Sequence, residues 1–363
     1  MQPGELPKFP KERGALPMPD SVSRTRRRDP ARLLSLYSLF LLAFLRNRDR
    51  LPETALPPVA VLNSLLHLLL KPALIGLPVA LALRRWRTAA LLMPLAAEFV
   101  RQYGGQLWRM ARPPQPISSP RSLTALTYNL HKEDVHLEPI LKVIRSANAD
   151  VVALQEIGSR AAECFEQELA AQYPYRSLQP YPAFPSAGQG LLSRFPLSEV
   201  QYWRHEGVVN ALGHQRAILN AHGVSIALYN VHPVHPGMVG KVFDARPRQW
   251  EIDQILARLA QERHSVILLG DFNMTDQSDA YRQITERYSD VFRKVGVGMG
   301  YTFPAWRYPQ ARELTNGLPL GWLPPLFRID YVFVSEGIQA LKAQVWHDSG
   351  GSDHLPLWVQ LAV

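Results

Sequence analysis

The chain has 363 residues, 47% of them apolar, enough for one large domain with an appendage or for two domains. The only cysteine, Cys164, excludes an internal disulfide and reads as a small buried apolar side chain rather than a nucleophile. The net charge of +9 is confined to one end: residues 1–120 hold 18 Lys and Arg against 7 Asp and Glu, residues 121–363 hold 22 against 24. A duplex-binding face needs cationic charge on the domain that binds, so this split weighs against nucleic acid as the first choice of partner.

Residues 1–32, rich in Pro and Arg and containing RTRRRDPAR, read as a flexible basic tail. Residues 33–100 carry three apolar blocks: LLSLYSLFLLAFL (33–45), PVAVLNSLLHLLLKPALIGLPVALAL (58–83) and TAALLMPLAAEF (88–99). A spanning helix needs ~20 apolar residues. The middle block has that length but is interrupted by Lys71, Pro72 and Pro78, while the other two are nearer the length of an interfacial or buried helix. The competing reading is a helical cap packed on a soluble domain. Leucine density, flanking Arg clusters and the lack of polar faces favour a membrane-anchoring helical region. Lys and Arg beside spans favour the cytoplasmic side. Placing RTRRR (24–28) and RRWR (84–87) inside sends the chain out after the third block, with RNRDR (46–50) left outside against the rule. The expected location is therefore a bacterial cell membrane with the following domain extracytoplasmic. Residues 101–120, with PPQPISSPRS at 113–122, read as a linker.

From 121 to 363 strand and helix patterns alternate. Strands are expected at 123–130, 150–156, 190–196, 224–232, 265–273, 328–335 and 354–362; helices are expected at 136–147, 160–172 and 244–263. Hairpin-like strand pairs among them indicate an α/β sandwich with mixed sheets. The buried strands end in groups that can carry chemistry: Asn129, Gln155 and Glu156, Asn230 and His232, Asp271 and Asn273, Asp330, and Asp353 with His354. A single Asp or Asn there is ordinarily a turn cap. Six such ends in one domain point to a shared cleft. Oxygen and amide ligands without thiolates suit Mg²⁺ or Mn²⁺. With two histidines the set fits water attack on phosphorus, a carboxylate-held imidazole removing the proton.

The segments NL (129–130), LQE (154–156), GLLSRFP (190–196), NVH (230–232), GDFN (270–273), RIDYVFV (328–334) and SDHLP (352–356) resemble, in order, the motif series of the endonuclease/exonuclease/phosphatase superfamily. The apolar blocks are similar to those of its membrane-anchored bacterial branch, which includes VanJ-type proteins. The resemblance implies a four-layer α/β/β/α sandwich of two mixed sheets over residues 121–363, and it implies roles. Glu156 is the expected principal ligand of Mg²⁺ or Mn²⁺, with Asn129 and Asp353 close to the metal. His354 is the expected general base, oriented by Asp330. Asp271 and Asn273 position water and a phosphoryl oxygen, and His232 binds the scissile phosphate. Asn230 stands behind these groups, His235 and His347 have no role assigned, and Arg328 is either a phosphate contact or a salt-bridged rim residue.

The substrate is left to the variable loops, 177–189 and the aromatic-rich 301–327. Aromatics beside Arg307 and Arg312 suit base stacking, a lipid interface or simple packing on the sheet. The expected activity is that of a membrane-anchored metal-dependent hydrolase of a phosphate ester or phosphodiester, on a lipid-linked or other substrate. The alternatives are an anchored nuclease acting on DNA or RNA and a catalytically dead binding module.

Overall fold

The computed structural model describes residues 29–111, 119–131, 136–237, 243–305 and 324–363. The basic tail before residue 29, residues 112–118 of the expected linker and residues 306–323 of the aromatic loop lie outside the described residues.

Two six-stranded mixed sheets face each other. The first contains β1 (Ser122–Asn129), β2 (Val151–Gln155), β3 (Tyr175–Gln179), β4 (Gln189–Ser193), β11 (Gln339–Val345) and β12 (Leu357–Ala362), in the order β11-β12-β1-β2-β4-β3. The second contains β5 (Leu197–Arg204), β6 (Gly213–Ala221), β7 (Val224–Val231), β8 (Ser265–Asp271), β9 (Ser289–Asp290) and β10 (Asp330–Val334), in the order β5-β6-β7-β8-β10-β9. Successive side chains of a strand point to opposite faces. Leu123 and Ala125 of β1 accordingly meet Leu228, Ile267 and Leu269 between the sheets. Leu126 and Tyr128 turn outward onto Ile140 and Ile144 of α5 (Leu137–Ala147), in a layer shared with Phe165 of α6 (Ser159–Glu168). On the far side α7 (Arg246–Leu259) and α8 (Asp279–Thr285) cover Ala227, Leu268 and Phe333. Among the elements not anticipated are α8 and the strands β3, β5, β6, β9 and β11, several of them exposed edge strands whose polar residues break the apolar-run signal.

The N-terminal region is helical: α1 (Pro30–Asn47), α2 (Pro57–Leu69), α3 (Lys71–Ala82) and α4 (Trp86–Ala111). The middle apolar block is split at Leu70 and bent by 49°. Pro72, at the start of α3, cannot donate the amide bond that would continue α2. By itself no single helix among the described residues is long and apolar enough to cross a membrane, although the bent α2–α3 pair meets the test of length and composition. The three-span path behind the expected outward orientation is therefore not supplied by three separate full-length spans. The linker boundary also moves. α4 continues to Ala111 because Phe99, Tyr103 and Gln106 bury one face at helical spacing.

These helices are fastened to the sandwich by buried polar contacts. Glu53 forms an ion pair with Arg248 of α7 at 3.1 Å, both side chains 2% exposed, and accepts from Asn63 Nδ2 at 2.8 Å. Tyr103 donates to Asp276 at 2.9 Å, and Arg109 donates to the carbonyls of Gly296 and Arg293 at 2.8 Å each. His67 contacts the Leu326 carbonyl at 2.8 Å.

One glycine is required by the fold. Gly270 has φ +142°, and a Cβ there would meet the Val231 carbonyl oxygen at 1.9 Å. It lets β8 run beside β7 and deliver Asp271. Gly270→Ala is expected to destabilise the chain by on the order of 3 kcal/mol, from backbone strain and overpacking together. Denaturant unfolding showing a loss below about 1 kcal/mol would contradict that reading of the β7–β8 contact.

Candidate active site

The polar groups gather because of strand direction. β1 and β2 are parallel, as are β7 and β8, so Asn129, Glu156, His232 and Asp271 stand at or just beyond their C-terminal ends. β10 and β12 are antiparallel to their neighbours, so their beginnings lie at the same edge. Asp330 pairs in register with Asp271. Asp330 and the Asp353–His354 pair thus occupy strand starts, where the sequence pattern suggested strand ends.

His354 is the best-held group. Its Nδ1 is 2.9 Å from Asp330 Oδ2, its Nε2 is 3.7 Å from Asp271 Oδ2, and it is 5% exposed. Burial alone would favour the neutral ring. The carboxylates of Asp330 and Asp271, with the Asp330 hydrogen bond, outweigh it and hold the imidazole well above its ordinary range. Phe303 packs on the ring with centroids 5.0 Å apart. Burial raises Asp330, opposed by His354. Asp271 is pulled down despite burial by His354, His232 and the Asn273 backbone N–H, which donates to Oδ1 at 2.9 Å. His232 Nε2 is 3.3 Å from Asp271 Oδ2; burial disfavours its charge, but Asp271 and Glu156 raise it overall.

A second group of oxygens faces these. Asn129 Nδ2 donates to Asp271 Oδ2 at 3.0 Å and to Glu156 Oε1 at 3.3 Å. Glu156 follows β2 with φ +57°, and its Oε2 is buried with no hydrogen-bond partner among the described residues. Asp353 Oδ1 is likewise buried and unpartnered, while its Oδ2 is 3.2 Å from His131 Nδ1. Burial raises Asp353, and the charges of Glu156 and Asp271 add to the rise, opposed by His354 and His131. Two orphaned buried carboxylate oxygens, one on a side chain that the Asn129 carboxamide also touches, are an incomplete arrangement in the protein alone and a fitting donor set for a hard divalent cation.

These residues line a cavity of about 590 Å³. Its lining includes Glu156, His232, Asp271, Asn273, Asp353 and His354. Apolar side chains line it too, some from outside the sandwich: Val61 and Leu65 of α2, with Leu212, Phe243 and Phe327. All eight expected site residues are in or beside this cavity. Asn273 has its carboxamide nitrogen committed to the Pro233 carbonyl at 3.0 Å.

Asn230 is elsewhere, joining the sheets by accepting from Gln155 at 2.7 Å and donating to the Leu154 carbonyl at 2.9 Å. His347 is exposed and away from the cavity. Arg328 is no phosphate contact. It is 3% exposed, pairs with Asp290 at 2.7 Å and Asp276 at 3.5 Å, and lies over the Tyr331 ring. His131 and His235 both line the cavity. The first was overlooked although it follows Asn129–Leu130 directly, and the second had no assigned role.

Another ligand-type cluster, His205, His214 and Glu251, lies behind His232. His214 Nδ1 accepts from the His232 N–H at 3.2 Å, which puts the neutral ring's proton on Nε2, 3.7 Å from Glu251 Oε1. A protonated nitrogen cannot ligate a metal, so the cluster reads as support for the His232 backbone.

Residues 126–354 match the family profile described as Endonuclease/Exonuclease/phosphatase family. No curated protein sequence matches the chain. Among solved structures, a Bacteroides thetaiotaomicron mannosyl-6-phosphatase is 16% identical with a TM-score of 0.52, covering 66% of this chain and 100% of its own. D. rerio TDP2, complexed with single-strand DNA product, is 14% identical with a TM-score of 0.53, covering 67% and 99%. An endonuclease/exonuclease/phosphatase from Beutenbergia cavernae is 21% identical with a TM-score of 0.50, covering 67% and 72%. At these identities the likeness is one of fold.

Proposed function

Given that the chain belongs to the endonuclease/exonuclease/phosphatase family, a family of phosphoester hydrolases that are generally dependent on divalent metals, we propose that it is a Mg²⁺- or Mn²⁺-dependent hydrolase working at a membrane on a phosphate ester with an apolar group, such as a lipid-linked phosphate. The observation that carries this reading is the mixed lining of the cavity, where carboxylates and histidines share one space with the apolar side chains of Val61, Leu65 and Phe327.

Glu156 and Asp353, with Asn129 beside them, would hold the cation, which when bound supplies positive charge to the phosphoryl oxygens. His354 in its neutral form takes the proton of the attacking water, and Asp330 keeps the ring turned and stabilises the imidazolium that results. Asp271 stands 3.7 Å from the accepting nitrogen and 3.3 Å from His232 Nε2, so one carboxylate orients both imidazoles. His232 Nδ1 has no partner among the described residues and, in the charged ring, is a donor for a phosphoryl oxygen. Phe303 and the α2 side chains keep water from the leaving-group side.

The test is a panel of alkyl phosphates of rising chain length, a sugar phosphate and single-stranded DNA, assayed with Mg²⁺, Mn²⁺ or EDTA. Activity is expected to vanish in EDTA. Going from a methyl to a hexyl ester is expected to raise kcat/KM by roughly 10–100-fold, at ~0.8 kcal/mol per buried CH₂ with only part of the chain seated. Full activity in EDTA sinks the metal reading. Indifference to chain length, or a preference for DNA, sinks the amphiphile reading.

A further inference from the structure

We infer that α1, α3 and α4 form one compact plug that enters a lipid bilayer end-on, with the arginines of the α3–α4 turn at the membrane face opposite the catalytic unit. This rests on the membrane reading above and adds how the chain meets the bilayer.

The three helices touch one another. A Cβ built at Gly76 of α3 would meet Leu34 of α1 at 3.1 Å and Leu92 of α4 at 3.2 Å, and Ser35 of α1 is 3.1 Å from Thr88 of α4 between hydroxyl oxygens. Helices packed around a common centre turn their free faces in different directions. Over most of their length the free faces are apolar, the exception on α4 being the exposed Arg101, paired with Glu98 at 2.6 Å toward the end that meets the catalytic unit. α1 shows Leu36 and Phe40, α3 shows Ile75 (73% exposed) and Val79, and α4 shows Met93 and Val100. The polar side chains within the apolar stretches are turned inward: Ser38 and Thr88 are buried, Ser38 donates to the Leu34 carbonyl, and Tyr37 donates to the Leu69 carbonyl. A soluble helical layer has the opposite distribution, polar outward and apolar toward the domain. Apolar free faces call for apolar surroundings, and a bilayer supplies them to the packed bundle although no one of its helices is long and apolar enough to cross alone.

The two ends are charged. At one end Arg84, Arg85 and Arg87 are exposed around Trp86, and Arg85 is 3.8 Å from Asp29, so the start of α1 is at this end too. At the other end Arg48 meets Gln277 and Tyr103 meets Asp276, which places the catalytic unit there. α1 has 18 residues, so the ends are about 27 Å apart at ~1.5 Å per residue. A hydrocarbon core is ~30 Å thick. Arginines left at the bilayer centre would be costly, so the arginine end reaches a polar interface. Lying flat on the near face would leave the outer apolar faces in water. End-on insertion covers all of them and brings the arginines to anionic headgroups at the far face, with Trp86 in its favoured interfacial position. The same arrangement sets α2, which leaves the plug to wall the cavity, where the catalytic unit meets the membrane.

The experiment uses the full chain carrying Cys164→Ser, reconstituted in vesicles of phosphatidylethanolamine and phosphatidylglycerol. Ile75→Cys, labelled with an environment-sensitive fluorophore, is expected to be quenched by acyl-chain doxyl lipids and shielded from iodide. In vesicles where Arg287→Cys on the catalytic unit reacts fully with an impermeant maleimide, Arg85→Cys is expected to react only after detergent is added. Iodide quenching at position 75, or burial of that position in a concentration-dependent dimer without lipid quenching, overturns the inference. So does labelling of both cysteines from one face. Hydrolysis of a short soluble ester by detergent-solubilised chain separately tests the catalytic reading, which stands or falls without regard to these outcomes.

Discussion

His354→Ala is expected to lower kcat by ~10²–10⁴-fold, the range for losing a general base, with KM little changed. The ring lies between the carboxylates of Asp330 and Asp271. Nδ1 is bound to Asp330 at 2.9 Å, and Nε2 is turned toward Asp271. Asp330→Asn should lower kcat in the same direction by less, because the carboxamide can still hold Nδ1 but no longer stabilises the charged ring. The two effects should be far from additive, since each variant breaks the same proton-accepting unit. Steady-state kinetics of the two single variants and the double variant decide the matter. Parent-like turnover in both single variants would make the dyad a structural ion pair.

Glu156→Gln is expected to raise the metal concentration for half-maximal activity by more than the ~10–100-fold that loss of an outer partner of a ligand brings. Turnover at moderate Mg²⁺ should fall with it. The substitution keeps the side-chain shape, and the left-handed backbone at φ +57° is already accommodated. Its sign on stability is the informative readout. In metal-free protein Glu156 repels Asp353 and adds to the rise of that carboxyl. Removing its charge should leave the Tm in EDTA equal to or above the parent's. In saturating Mn²⁺ the parent should gain more Tm than the variant, because a ligand that binds only the folded state stabilises it by mass action. Direct Mn²⁺ titration of both proteins checks affinity without reference to turnover. Equal Mn²⁺ affinity would remove Glu156 from the ligand set. A large Tm loss in EDTA would assign it a structural role instead.

Much of the sandwich could be read from local pattern. β1, β2, β7, β8, β10 and β12 are apolar runs ending or beginning at polar groups, and α5 and α7 carry apolar residues at helical spacing. The edge strands could not be read this way. β5 buries none of its side chains fully and owes its pairing to β6, so its sequence carries no burial signal. His131 was missed for a similar reason. A lone His after Asn129–Leu130 has no pattern of its own, and its contact with Asp353 exists only in the folded chain.

The order of residues alone establishes which carboxylates, amides and histidines are present, in what succession, and that no thiolate joins them. It also determined the charge split and the apolar blocks, since these depend on composition and near neighbours alone. How these groups come together is a property of the closed fold. Antiparallel β10 and β12 bring Asp330 and His354 to the edge where parallel β1, β2, β7 and β8 end, a matter of strand direction that no local pattern encodes. Arg328 went to a buried pair with Asp290, 38 residues away in sequence, rather than to the cavity. The Glu53–Arg248 pair spans 195 residues and fixes α2 as a cavity wall. Each of these depends on contacts between distant segments, whose free energy exists only once the sheets have closed on each other and the helices have docked.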